Sequence, residues 1–464
     1  MTKYCLLHFS TIVILALSGA VNGAAVARTI HVSQDGPVRS ITEAMASAES
    51  GDTIRILKGD YKEHIVIDKT LTIIGEGYPR IDGGGKGVVV LIKAPGTVFR
   101  GIHVTGSGDS LNLEDAGIIL DSARGSVIKE NRLDDVLFGI YLKNSPDCVI
   151  EKNVVEGKRL TLPERGDGIK LWYSSGTKIL DNRVTLTRDL VIWWSGNTLI
   201  KGNIVEEGRY GLHYMSSNHN RFEDNIFRNN YVGGFLMYSV DIQFYRNRFI
   251  DNRGIGTGYG IGFKDLDNVI AKDNLIADNR VGIFLDNSPY LIDSWNNISD
   301  NVIAFNDIGV SFMPSIRRNA FHKNSFVDND EQVEVRGGGE LAGNEWSKGG
   351  SGNYWSDYIG YDEDGDGIGE IPYKSESLFE SLIDSKPELR IFVFSPVAKA
   401  IELASQAFPV IKPEPKLTDD YPLVGSAIPP DLRAGGRALS PRLLFLSLSM
   451  VMIPLIFDGY VMKR

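Results

Sequence analysis

A frame that opens on Gly and closes on Asn fourteen positions later recurs through the middle of this chain. It pairs Gly117 with Asn131, Gly139 with Asn153, Gly168 with Asn182, Gly211 with Asn225, Gly260 with Asn274 and Gly282 with Asn296. The closing asparagines at 131, 153, 182, 203, 225, 247, 274 and 296 are mostly 21 or 22 residues apart. Two of the longer intervals carry insertions, VEGKRLTLPERGD before Gly168 and RGIGTGYG before Ile261. A period kept through insertions means a fixed scaffold from which loops project. No unit this small buries an apolar face alone, so the copies must stack on one another.

Within a copy the residues sort by parity, as strands require. One and three positions after the Gly stand Ile118/Leu120, Ile140/Leu142, Ile169/Leu171, Leu212/Tyr214, Ile261/Phe263 and Ile283/Leu285. A second apolar set is Ile128, Ile150, Ile179, Ile200, Phe222 and Phe244; a third, two past the Asn, is Leu133, Val155, Val184, Val205, Phe227, Phe249 and Ile276. Three short strands per copy then pair with their equivalents in the next, about 4.8 Å away. Asn side chains in register would bond along the stack and satisfy turn backbone that stacking buries. The expected fold is all-β, a right-handed parallel β-helix; a leucine-rich repeat would need a different Leu spacing.

The ends of the chain have another grain. Residues 1–27 carry Lys3, an apolar run from Thr11 to Ala20 and the small-residue site Ala25-Val26-Ala27, the pattern of a secretory signal peptide. Cys5 would leave with it, so Cys148 is left alone as a small inward residue with no disulfide partner. In Ser40 to Ala48, Ile41, Ala44, Met45 and Ala48 share a helical face behind a Ser-x-x-Glu capping box. This short helix suits the end cap of a solenoid. The β-helix is expected over 28–345, with cap and first coils in 28–116 and regular repeats in 117–324. A Gly/Asp/aromatic segment (346–375) and an extended arm (376–440) follow, with LFESLIDS and AKAIELASQAF as candidate helices. The tail 441–464 contains the apolar run Leu443 to Phe457, which points to contact with a membrane or a membrane partner. The net charge of −10 without a basic tract argues against nucleic acid. No Gly-rich loop ending in Lys-Ser/Thr appears, so the chain is not itself an ATPase.

The N-terminal block SITEAMASAESGDTIRILKGDYKEHIVIDKTLTIIGEG resembles the start of β-helices of the carbohydrate-binding and sugar-hydrolase type. Together with GNYWSDYIGYDEDGDGIGEIPY (352–373) and the later DDYPLV, it resembles the NosD-type periplasmic maturation proteins of nitrous oxide reductase. That resemblance implies a non-enzymatic periplasmic subunit working with a membrane permease and a cytoplasmic ABC-type ATPase. It also implies a copper-chaperone lipoprotein and nitrous oxide reductase as partners, with copper or sulfur delivered to the reductase. It carries no ligand motif. The alternative function is a carbohydrate-binding or carbohydrate-active β-helix. The acids Asp167, Asp181, Glu223, Asp224 and Asp273 mostly fall at turn positions, where acidic residues are ordinary, so no catalytic residue is named.

The remaining parity, two and four after the Gly, is expected to face solvent. Successive copies read Ile119/Asp121, Tyr141/Lys143, Lys170/Trp172, Val191/Trp193, His213/Met215, Phe235/Met237, Gly262/Lys264 and Phe284/Asp286. Trp172, Trp193 and Phe235 are candidates for partner binding, the alternative being that the long insertions or the C-terminal arm cover this face. His213 and Met215 share a face, and Met237 follows Met215 in the same column one coil on, a soft donor set suited to Cu(I). Asp362, Asp364 and Asp366, followed by Gly367, match the first half of a calcium loop. Tyr373 stands at the twelfth position instead of Glu, and Glu370 is the nearest substitute.

Overall fold

The computed structural model describes residues 27–375, 378–392, 395–407 and 415–426. The signal-like segment and the apolar run Leu443 to Phe457 lie outside the described residues. Among those described, no helix is long and apolar enough to cross a membrane.

The chain winds into a right-handed parallel β-helix whose strands form three long sheets of 13, 12 and 13 strands. One sheet contains Ala116–Asp121, Phe138–Lys143, Ile169–Trp172, Asp189–Trp193, Tyr210–Met215 and Gly234–Val240. Register between neighbours follows the expected columns, with Ile118 opposite Ile140 and Ile140 opposite Ile169. All three inward sets are buried, and they merge into one core along the axis. Its aromatic rings stack from coil to coil, with Phe222 and Phe244 centroids 4.7 Å apart and Phe227 and Phe249 5.1 Å apart.

The frame glycine exists because coils approach closely there. A Cβ on Gly211 would stand 2.5 Å from the Gly233 carbonyl oxygen, and one on Gly260 would stand 2.7 Å from that of Gly282. The frame asparagine works as expected. Asn203 donates from its backbone N and from Nδ2 to Asn225 Oδ1, both at 3.0 Å, and Asn225 donates from Nδ2 to Asn247 Oδ1 at 2.9 Å. Each amide also donates across the turn, as Asn225 does to the Ile200 carbonyl at 2.9 Å. Both arms of the buried amide are thereby used.

One member of the frame is corrected. Asn274 passes its ladder bonds to Asn301, 2.9 Å from both its donors, and not to Asn296. Asn296 belongs to another column, accepting from Val269 N at 2.9 Å and donating to Asn319 at 3.0 Å. The loop 287–295 lengthens this copy, so the fourteen-residue spacing from Gly282 was coincidental. Two further ladders were not read from sequence. Asn230, Asn252, Asn279, Asn306 and Asn329 run up a second corner. At a third, the hydroxyls of Ser174, Ser195, Ser217 and Ser239 each accept a backbone N–H from the coil before. Cys148 is the expected small inward residue, with burial pushing its thiol pKa up to about 11.

Both open ends are closed. The helix Ile41–Ser47 packs Ile41, Ala44 and Met45 over the first coil. Its capping box is only half as expected: Ser40 Oγ accepts from Glu43 N at 3.1 Å, but Glu63 is the acid that receives Ile41 N (3.0 Å) and Thr42 N (2.8 Å). At the other end Tyr354–Trp355 adds the last strand, pairing with Ser325 and Phe326. Trp355 stacks between Phe326 (4.3 Å) and Tyr373 (4.4 Å). The Asn ladder ends on buried Asp419, which accepts from Asn353 N at 2.7 Å and Trp355 Nε1 at 3.0 Å. The motif 352–373 and DDYPLV are thus the two halves of one cap. The candidate helices form as Leu378–Ser385 and Pro396–Ala407. Buried Lys416 ties the first to the last coil, 2.8 Å from both Glu331 and Asp384, while Arg390 pairs with Glu331 (2.8 Å) and Glu334 (3.0 Å).

Candidate metal and partner site on the outer face

The outward columns form in the predicted register: Trp172 opposite Trp193, Trp193 opposite Met215, Met215 opposite Met237. Beside them run Lys170, Val191, His213 and Phe235. The expectation that this whole face meets solvent is corrected at both ends. Ile119, Tyr141 and Val191 are buried, and Lys170 is nearly so. Leu111 and Leu160, from the loops preceding Ala116 and Gly168, pack with Ile119, Phe138 and Tyr141 into a second apolar cluster. Further along, Phe284 is buried with Val232, Tyr259, Val281 and Ile308, and Arg336 lies over its ring at 4.5 Å. Apolar outward residues in a strand attract cover, and the insertions supply it. Between the two clusters, Trp193, His213, Met215, Phe235 and Met237 remain half-buried.

His213 is fixed from below. Its Nδ1 lies 3.0 Å from the carboxylate of Asp189, which also pairs with Arg209 and accepts Tyr210 N at 3.2 Å. Burial alone would raise the pKa of Asp189, but hydrogen bonds from His213 and Arg209 outweigh it and hold the carboxyl below its ordinary value. An ionised acceptor on Nδ1 leaves Nε2 as the nitrogen available to a ligand, the arrangement usual for metal-binding histidines. Sequence reading passed over Asp189, yet it left a mark: it is the residue fourteen before Asn203, where other copies carry the frame Gly. Its side chain is incompatible with the regular close approach, and the register shifts between Asp189 and Val191.

Two other aromatic residues were passed over. Tyr173 and Trp194 occupy the corner just after Trp172 and Trp193, with φ of +50° and +47°. Their rings stack 5.3 Å apart, and Trp172 meets Trp194 at 4.6 Å. Other coils put Ser122, Asn144, Ser216 or Tyr238 in the corresponding left-handed turn. Bulky residues are uncommon in that conformation.

In the acidic loop, carboxylate oxygens of Asp362, Asp364 and Glu370 lie within 4.8 Å of one another. Asp366, the third residue expected there, instead turns its Oδ1 to Ile368 N at 2.8 Å. Asp362 accepts Gly365 N (2.7 Å) and Gly367 N (2.9 Å), so the loop is also a self-bonded turn. Of the five acids set aside as turn residues, Asp181, Asp224 and Asp273 sit at left-handed corners. Glu223 closes the strand Arg221–Glu223, and Asp167 is buried against Arg188 at 3.0 Å.

Comparison with known proteins gives these features a family. A family model described as "Periplasmic copper-binding protein (NosD)" matches residues 154–360, and one for the right-handed β-helix region matches 64–188. A protein of Pseudomonas aeruginosa named "Probable ABC transporter binding protein NosD" is 31% identical over 388 residues, spanning 79% of this chain and 86% of that one. The chain belongs to the NosD family. The NosD of Stutzerimonas stutzeri, similarly named, is 29% identical over 404 residues, covering 83% of this chain and 90% of that protein. Among solved structures, the Dettilon tailspike protein superposes with a TM-score of 0.51 at 15% identity, over 66% of this chain and 68% of that one. At that identity the likeness concerns the β-helix alone. Both NosD relatives bear the names of binding proteins and not of enzymes.

Proposed function

We propose that this chain is a periplasmic accessory protein that receives Cu(I) on the outer face of its β-helix and passes it on during maturation of nitrous oxide reductase. The observation that carries the reading is the strip between the two apolar clusters, where His213, Met215 and Met237 occupy three corners of a square spanning two coils. Phe235 fills the fourth. One imidazole and two thioethers without a carboxylate among them suit a soft monovalent cation. Thioethers also release such a cation readily to a stronger site. The family description supports copper as the cargo, and the relatives' names support association with an ABC-type permease and its ATPase. Trp172, Trp193 and Phe235 border the strip and form the contact surface for a copper-chaperone lipoprotein or for the reductase. Calcium at Asp362, Asp364 and Glu370 would stiffen the cap beside Trp355.

Two measurements test this. Anaerobic Cu(I) titration against a chromophoric chelator should show one tight site in the mature chain, lost in a Met215→Leu, Met237→Leu, His213→Ala variant; unchanged affinity sinks the copper assignment. Affinity purification from membranes should bring down a permease and an ATPase, and their absence removes the transporter half of the reading.

A further inference from the structure

The indole of Trp193 stands at the edge of the proposed Cu(I) site in an unusual state. Its Nε1 is buried and has no hydrogen-bond partner among the described residues. A buried N–H left unmade is destabilising, and a Phe at this position would avoid that cost. Packing therefore does not account for a tryptophan here. The ring is also placed with care. It meets the imidazole of His213 nearly at right angles, centroids 5.0 Å apart, and its backbone is in register with Met215. Trp172 and Trp194 hold it at 5.8 and 6.1 Å. Lys170 Nζ already lies 5.6 Å from its centroid, and that ammonium pairs at 3.6 Å with Asp167, a carboxylate it shares with Arg188.

We propose that Trp193 is a specificity-determining wall of the Cu(I) site, presenting its π-system to the ion beside Met215 and excluding water from that side. Tryptophan is the aromatic side chain that attracts a cation most strongly, and the attraction grows where water is kept out. A site with one imidazole, two thioethers and an indole wall has no place for the hydration shell or the hard donors that Zn²⁺ and Cu(II) retain. Phe235 leans the other way, over Gly262 and against Tyr259 (6.1 Å) and Phe284 (6.5 Å), so the indole is the aromatic wall on the His213 side. The inference rests on the copper reading and adds to it a residue that is not a ligand in the ordinary sense.

The test uses the mature chain with Cu(I) alone as the probe, comparing wild type, Trp193→Phe, Trp193→Leu, Trp172→Phe and Met215→Leu/Met237→Leu. Three quantities are followed: Cu(I) affinity by chelator competition, the Cu(I)-dependent fall in tryptophan fluorescence, and the thermal midpoint. Affinity should fall in the order Trp, Phe, Leu, with Leu about tenfold or more weaker. The copper-dependent fluorescence change should vanish in both Trp193 variants and survive in Trp172→Phe. The thermal midpoint of Trp193→Phe should equal or exceed that of wild type, since the orphaned N–H is gone; this also keeps the test available if the Leu variant folds poorly. Wild-type affinity and a persisting fluorescence change in Trp193→Phe, with both lost in the double Met variant, would overturn the role of Trp193 and leave the copper site standing. Failure of wild type to take up Cu(I), or full affinity in the double Met variant, would overturn the copper site and this inference with it.

Discussion

At the scale of single residues, the chain uses small polar side chains as internal struts. Asn225 has no exposed surface, yet its amide makes bonds to the coil before and the coil after. Each buried donor in such a ladder would cost about 1–3 kcal/mol if left unmade. Asp189 is the informative exception to the frame. By replacing the glycine it shifts the register, and by its charge it orients His213 and holds Arg209. Because its folded-state pKa lies below the ordinary 3.8, its stabilisation is present above that value and is lost as pH falls through the lower folded value. Asp189→Asn is therefore expected to lower stability by about 2 kcal/mol at neutral pH, with the gap from wild type closing as pH falls below 4. Urea unfolding at several pH values checks this, and a gap independent of pH down to 3 would refute it.

At the scale of elements, loops and arm decide which parts of the outer face are reachable. The sheet strands alternate faithfully, but the loop 157–167 turns an outward row into a second core. The helix Leu378–Ser385 is held to the last coil by charges. Burial pushes the pKa of Asp384 up to about 7, with Lys416 opposing the rise and Glu331 and Glu334 adding to it. Its Oδ1 has no partner among the described residues. The docked helix thus holds a proton that the free helix would release. Docking is strongest below pH 4, weakens as pH rises, and is weakest above about 7. Hydrogen exchange across 378–385, corrected for intrinsic rates, should show more opening at pH 8 than at pH 5, and Asp384→Asn should flatten that difference. Equal protection at both pH values would contradict it.

At the scale of the whole molecule, a solenoid is a line of neighbours, and its weak points are its ends. The C-terminal cap hangs on one buried carboxylate. Asp419 receives Asn353 N, Trp355 Nε1 and Tyr421 N, and without it the Asn ladder would terminate on unmatched donors. Asp419→Ala should cost about 3 kcal/mol or more locally and fray the helix from residue 355 backward. Exchange protection should fall first in Ser325–Val327 and Asn319–His322, while coils near Gly117 stay protected. A uniform loss along the chain would mean that the coils unfold as one unit.

Much of this was legible from the repeat alone. Period, parity and the Gly–Asn frame determined the coil, the three inward columns and the outward rows on which Trp193, His213, Met215 and Met237 lie. These follow from local geometry, since strands alternate sides and equivalent turns stack, so a one-dimensional pattern suffices. The same pattern hid Asn301 behind Asn296, because a spacing cannot tell a longer loop from a shifted column. It could not say that Glu63 would take the helix cap, that Asp419 would end the ladder 66 residues beyond Asn353, or that Leu111 and Leu160 would cover Tyr141. Those contacts join segments whose separation carries no period. Only the wound coil, by setting distant loops side by side, decided which residues of the outward face remained accessible and which became core.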